Sequence, residues 1–410
     1  MMNDRTKKIL FIVGFVIITI LLAWALYSLF FSSSVIDNVP VNNANQPVGG
    51  LPSINNGGTN RVTQPSNNIA NQSGYSGLPS TGVSAQTAKP ISEITDQPVQ
   101  SVTVGSQGEV AWYDQGDGKF YKLQSGQVQS MSDKTFPQAE AVSWSPQADK
   151  AIVEYPDGYN ILYDFVKQKQ ISLPKEMTDF TFSGSGQQIA AKVVTDNPDN
   201  NWIVTANYDG SGLQFIEHIG DKSRDVQMDW SPAGEIIATY REGVDFERQE
   251  VYPIGQSGSN IKSLKTDGRG FVSKWSPQGN LIVYSVYNSF SGYRPVLYVA
   301  DMGGDWTGSY YLNLGLQSWP DKCVFNSTSQ KLYCAVPDDL PELSGIYPEL
   351  ADDSSDIFYE INLSTGNKRI LPLATGSDKV QATDLRLSAN EDKLYFINKE
   401  TGRLTEINLR

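Results

Sequence analysis

One short pattern occurs seven times along this chain and dictates what it can fold into. An apolar strand ends in a large apolar anchor, a small-residue turn follows, and a second apolar strand begins. Trp144-Ser145-Pro146, Trp230-Ser231-Pro232 and Trp275-Ser276-Pro277 are the clear copies. Phe182-Ser183-Gly184, Phe325-Asn326-Ser327 and Leu387-Ser388-Ala389 are weaker, and Val104-Gly105-Ser106 is the weakest. Four residues after the anchor comes a turn position, filled by Gly108, Gly186, Gly234 and Gly279 in four copies. Seven after it comes an apolar residue: Ala111, Ala151, Ile189, Ile237, Ile282, Leu332 and Leu394. The anchors are 40, 38, 48, 45, 50 and 62 residues apart. A period in the forties that carries strand signals means one four-stranded propeller blade per repeat. The expected fold is all-β, a seven-bladed β-propeller, with six blades as the second choice if the weak first repeat is irregular.

The second repeat shows how a blade is built. Its inner strand ends at Trp144, the second runs from Ala151 to Tyr155, the third from Ile161 to Asp164, and the fourth from Gln170 to Leu173. Proline presets φ at the first turn, and glycine accepts the positive φ that closes the hairpin. The last repeat ends after its third strand, whereas Ile91-Ser92-Glu93-Ile94-Thr95 stands before the first inner strand, where every other blade has a fourth strand. This segment is predicted to pair with the last blade, closing the ring and removing two free sheet edges.

The pattern of apolar strand, Ser-Pro turn and apolar strand resembles the TolB-type propeller repeat over roughly residues 90–410. The resemblance implies a propeller architecture and carries little about function. The Asp of the Ser-Pro-Asp-Gly signature is replaced by Gln147, Ala233, Gln278, Ser185, Thr328 and Asn390, so TolB's own partners do not carry over.

The N-terminus says where such a propeller would work. Residues 9–31 are a run of 23 that is apolar apart from Gly14, Thr19 and Ser28. At 1.5 Å per residue such a run spans a hydrocarbon core of about 30 Å. Arg5, Lys7 and Lys8 precede it, and no charge follows until Asp37. The positive-inside rule makes residues 1–8 a cytoplasmic tail and 9–31 a single-pass transmembrane anchor, with the propeller on the extracytoplasmic side of the cell membrane. A cleaved signal peptide is the competing reading, but the run is long for one and lacks an Ala-x-Ala-like site. Residues 32–89, rich in Asn, Gly, Pro, Ser and Gln, cannot bury a core and read as a flexible linker. A plain spacer is the first reading of this linker and a wall-binding or glycosylated stalk the second. Residues 90–410 form the propeller.

The formal charge is −13, and the first 31 residues carry three cations against one anion, so the remainder is −15. Such a surface repels nucleic acid and anionic lipid. The two cysteines, Cys323 and Cys334, fall in one blade. If Phe325 pairs with Leu332, they lie directly opposite across two strands, with Cα atoms about 4.5–5.5 Å apart, within reach of a disulfide. Two buried thiols are the alternative.

Catalytic chemistry is hard to find. The one histidine, His218, reads as a solvated loop residue, and no nucleophile elbow, Cys/His metal cluster or phosphate loop accompanies it. Residues 114–119 and 196–201 suggest calcium loops, but tight Asp/Gly turns explain them better. One segment stands apart. Residues 337–356 join the second and third strands of the sixth blade and hold Asp338, Asp339, Glu342, Glu349, Asp352, Asp353 and Asp356 with no basic residue. Strand alternation puts Trp319, in the preceding inter-blade connection, on the same face. The loop is a candidate site for calcium, a basic protein partner or a saccharide; a solvated insertion is the plain alternative. The expected function is that of a protein-interaction or envelope-scaffold module rather than an enzyme. The second choice is a carbohydrate or cell-wall-polymer binder, which would need Trp306, Trp319 and Tyr347 on one face. The third is a hydrolase that uses carboxylates in the central channel.

Overall fold

The computed structural model describes residues 91–410 apart from 259–260, 374–379 and 410. The anchor and linker readings, residues 1–89, lie outside the described residues. Among the described residues, no helix is long and apolar enough to cross a membrane. They form seven four-stranded antiparallel sheets, each ordered from an inner strand outward. Blade one runs from Val99–Val104 to Gln127–Ser130, and blade two from Ala141–Trp144 to Lys169–Leu173. Blade three runs from Met177–Phe182 to Gln214–His218, and blade four from Val226–Met228 to Leu264–Thr266. Blade five runs from Arg269–Trp275 to Tyr311–Asn313, and blade six from Cys323–Phe325 to Lys368–Ile370. In blade seven the inner strand Ala382–Leu387 is followed by Lys393–Asn398 and Arg403–Asn408, and the outer strand is Ile91–Glu93.

The closure is as read from the sequence. Ile91 pairs with Ile407, Ser92 with Glu406 and Glu93 with Thr405. Beyond the ladder, Ile94 N–H donates to Leu404 O at 2.8 Å, and Arg403 meets the Glu93 carboxylate at 2.6 Å.

The repeat pattern has a physical basis at each position. The seven residues that follow the anchors by seven are all at most 1% exposed. Five anchors (Trp144, Phe182, Trp275, Phe325 and Leu387) pair directly with them. The first repeat departs: Val104 pairs with Val110, because its turn is closed by Gly105 N–H to Glu109 O and is one residue shorter. The turn position four after the anchor has positive φ in every blade. It is held by Gly108, Gly186, Gly234 and Gly279, but also by Ala148, Ser329 and Glu391 at φ 54°, 57° and 55°. Glycine adopts that region freely, whereas the other three are held there by the hairpin. The apolar core is seven separate clusters, one wedged between each pair of neighbouring blades. The register places Cys323 opposite Cys334, and the two form a disulfide within the cluster between blades five and six.

Candidate functional site

The central channel is lined by the inner strands. The residue just before each anchor is half-buried: Thr103, Ser143, Thr181, Asp229, Lys274, Val324 and Arg386, polar in six of seven repeats. These side chains and their neighbours join each blade to the next. The carbonyl two residues before the anchor is the usual acceptor. Val142 O takes Ser101 Oγ at 2.7 Å, Phe180 O takes Ser143 Oγ at 3.0 Å, and Ser273 O takes Gln227 Nε2 at 2.9 Å. Cys323 O takes Lys274 Nζ at 2.8 Å, and Val102 O takes Arg386 Nε at 2.7 Å. Blade six has Val324, which cannot donate, and Lys274 reaches past it to Leu385 O of blade seven at 3.2 Å. Asp384 completes the seam between blades seven and one, accepting Val102 N–H at 2.7 Å while it pairs with Arg386.

Burial pushes the Asp229 carboxyl up to about 7, against the pull of Lys274 and Arg386. Burial, and then the Arg386 charge, bring the Lys274 amine down to about 7, against Asp384, Asp321 and Asp229. Both side chains are half-buried: protein surrounds them, while the channel leaves each some solvent. Most polar groups here are engaged with backbone, so the cluster reads as a fastening for the ring.

The loop 337–356 is the second candidate. The first and last residues of the loop continue the sheet, with Pro337 paired to Asp356. In between, three blades hold it. On the blade-five side Leu343 N–H donates to Gly292 O, Gly345 N–H to Tyr293 O, and Arg294 Nε to Leu340 O at 2.6 Å. Gly345 is needed there, because a Cβ would lie 2.6 Å from Tyr293 O and 2.7 Å from the Tyr287 ring. On the blade-seven side Gln381 Nε2 donates to Asp352 O, and Lys399 pairs with the Asp352 carboxylate.

The seven carboxylates, read from sequence as one acidic group, therefore have different settings. Asp356 is buried, accepting Lys322 Nζ and Ala382 N–H at 2.6 Å each, and burial raises its pKa against the pull of Lys322. Through Lys322 it is tied to the short helical turn Pro320–Lys322 that follows half-buried Trp319. Glu342 lies 3.8 Å from Arg294. Asp338, Asp339, Glu349, Asp352 and Asp353 are exposed. Among the described residues, no three acidic, histidine or cysteine side chains converge into a group that could hold a metal ion.

The remaining sequence candidates have local explanations. His218, at the end of the outer strand of blade three, lies edge-on to Trp202 and beside a cavity of about 320 Å³ between blades three and four. Asp114 and Asp117 accept backbone N–H groups within their own hairpin, and Asn197 caps the turn Pro198–Asn200. Trp306 lies on the connection between the third and fourth strands of blade five, so strand alternation puts it on the face opposite Trp319 and Tyr347. The three aromatics do not form one platform.

Two features escaped the sequence reading. The polar residue before six of the seven anchors was legible in the repeat alignment. The apolar side chains on the loops of blades four to six were not, because exposure at a turn cannot be seen in a strand pattern.

No family model and no curated protein matches this chain. Solved structures do. The β-propeller domain of Cps50 (Swd1) from Myceliophteria thermophila is similar over 78% of this chain and 100% of that one, at 12% identity and a TM-score of 0.53. An oligogalacturonate lyase in complex with manganese is similar over 78% of this chain and 93% of that one, at 12% identity and a TM-score of 0.51. At such identities the likeness shows the fold: this chain is a seven-bladed β-propeller.

Proposed function

We propose that this chain is a membrane-tethered, extracytoplasmic propeller, TolB-like in its repeat, that serves as a protein-interaction or envelope-scaffold module. Its working face is the one that carries loop 337–356. The observation that carries the reading is the build of that loop. Three blades hold it in one conformation, yet it keeps Leu343, Ile346, Tyr347 and Leu350 in solvent. Long loops fixed on a rigid scaffold, and apolar side chains grouped on a surface, are both marks of binding. The long apolar run at residues 9–31, with its preceding cations, supports the tether, and the Cys323–Cys334 disulfide suits an oxidising compartment.

The test is a photo-crosslinking amino acid placed in the full chain in its own cells. One site is Tyr347, and the other is Val166, which lies on the connection between the third and fourth strands of blade two, on the opposite face. Protein adducts that form at Tyr347 and not at Val166 support the reading. Equal or absent adducts at the two sites refute it. Protease added outside the inner membrane should remove the propeller, and full protection would rule out the topology.

A further inference from the structure

Apolar exposure on this face does not stop at the loop of blade six. The corresponding connection in blade four, residues 244–248, carries Val244 and Phe246, and that in blade five, residues 288–295, carries Phe290. Phe246 is 94% and Phe290 96% exposed, the highest values among the large apolar residues described. Their backbones are nevertheless fixed. Asp245 Oδ1 accepts Glu247 N–H at 2.9 Å and Arg248 N–H at 2.7 Å, which sets the tip that bears Phe246. Phe290 is the middle of the turn Ser289–Ser291, capped by Asn288 in a reciprocal box with Ser291. These are held positions with side chains left outside.

The three loops are also bonded to one another. Ser289 N–H donates to Glu247 Oε2 at 2.8 Å, and Arg269 Nη1 donates to Asp245 O at 2.8 Å, joining blades four and five. The bonds of Leu343 and Gly345 to Gly292 and Tyr293 join blades five and six. The result is one continuous rim with seven exposed large apolar side chains: Val244, Phe246, Phe290, Leu343, Ile346, Tyr347 and Leu350. Around them the three loops carry nine carboxylates, of which Asp356 is buried, against two arginines. Both arginines are already engaged, Arg248 with Asp245 at 2.6 Å and Arg294 with Leu340 O and Glu342.

We propose that this rim is the docking surface for a basic, amphipathic segment of a partner protein. Its apolar side covers Phe246, Phe290 and the strip from Leu343 to Leu350, and its Lys and Arg side chains meet the surrounding carboxylates. The proposal rests on the loop face being the working face. Apolar anchors supply the binding energy, and the complementary charge sets orientation and encounter rate. Anionic lipid and nucleic acid are repelled by the same carboxylates. A second copy of this chain would bring one acidic rim against another.

The experiment places the photo-crosslinking residue at Phe246 and at Phe290 in the full chain in its own cells and sequences the adducted peptide. The expected adduct is one recurring protein segment with net positive charge and apolar residues spaced to one side. Crosslinking in membranes washed with 0.5 M salt should fall several-fold from that at 50 mM. In a chain with the crosslinker at Tyr347, the double substitution Phe246→Ser with Phe290→Ser should lower adduct yield about tenfold while the melting temperature holds. An acidic or neutral segment, a lipid, or a second copy of this chain overturns the proposal. So does an unchanged yield in the double variant. Adducts at Tyr347 without adducts at Phe246 and Phe290 sink the extended rim and leave the proposed function standing; silence at all three sites sinks both.

Discussion

In the central channel, polar side chains are enclosed by protein and answered by the neighbouring blade. On the rim of blades four to six, apolar side chains stand in water beside loops that are themselves firmly held. Ser101, Ser143, Gln227, Lys274 and Arg386 each donate a hydrogen bond to a backbone carbonyl across a blade seam. A buried donor or acceptor left unmade costs about 1–3 kcal/mol, so these groups are retained by the fold itself. Phe246 and Phe290 add no burial to the propeller, and folding gives no reason for aromatics at those two tips. The difference separates residues that hold the disk together from residues that are available to something outside it.

That comparison can be broken by perturbing each side in turn. The largest effect belongs to the closure. Deleting residues 1–97 removes the strand that pairs with Arg403–Asn408 and should lower the melting temperature by about 10 °C or more, whereas deleting residues 1–85 should not. Equal melting curves for the two truncations would show that blade seven does not need its outer strand.

Next comes Lys274→Met. It removes two hydrogen bonds to carbonyls of two blades and leaves Asp229 with Arg386 as its remaining cation. Denaturant unfolding should show a loss of about 2–4 kcal/mol. A neutral result would mean that the channel charges are not fastenings.

A smaller effect is expected from pH. The folded-state pKa of Asp229 is raised from 3.8 to about 7, so between those values the folded state keeps a proton that the unfolded chain releases. Its contribution is fully present below about pH 4 and is lost as pH rises through about 7. Lys274, lowered from 10.5 to about 7, acts in the opposite sense and restores stability between about 7 and 10.5. The difference in melting temperature between wild type and Asp229→Asn should therefore change steadily from pH 4 to pH 7. A constant difference would remove Asp229 from the account.

The smallest effect on stability is expected on the rim. Phe246→Ser with Phe290→Ser should shift stability by no more than about 0.5 kcal/mol. A clear loss would mean that these side chains serve the fold, and the contrast with the channel would fail.

Much of this was legible in one dimension. A repeat with an anchor, a turn position and an apolar residue at fixed offsets determines blades, because each strand must bury alternate residues against the next blade. The same register put Cys323 opposite Cys334, and the missing outer strand of the last blade pointed to residues 91–95. The sequence also set apart the residue before each anchor, polar in six of seven repeats, since it lies on the opposite side of the strand from the anchor. Tertiary structure alone decided what those side chains meet. The reach of Lys274 past Val324 to Leu385 depends on the spacing of three blades. So does the fate of the acidic loop: its carboxylates are adjacent in sequence, but Asp356 turned inward to Lys322 while Asp352 found Lys399 on another blade. Phe246, Phe290 and Tyr347 lie in three separate repeats, and only the ring of blades sets them on one rim. Local pattern fixes which face of a strand is buried. Which loops become neighbours depends on how the sheets close around an axis, and that is a property of the whole chain.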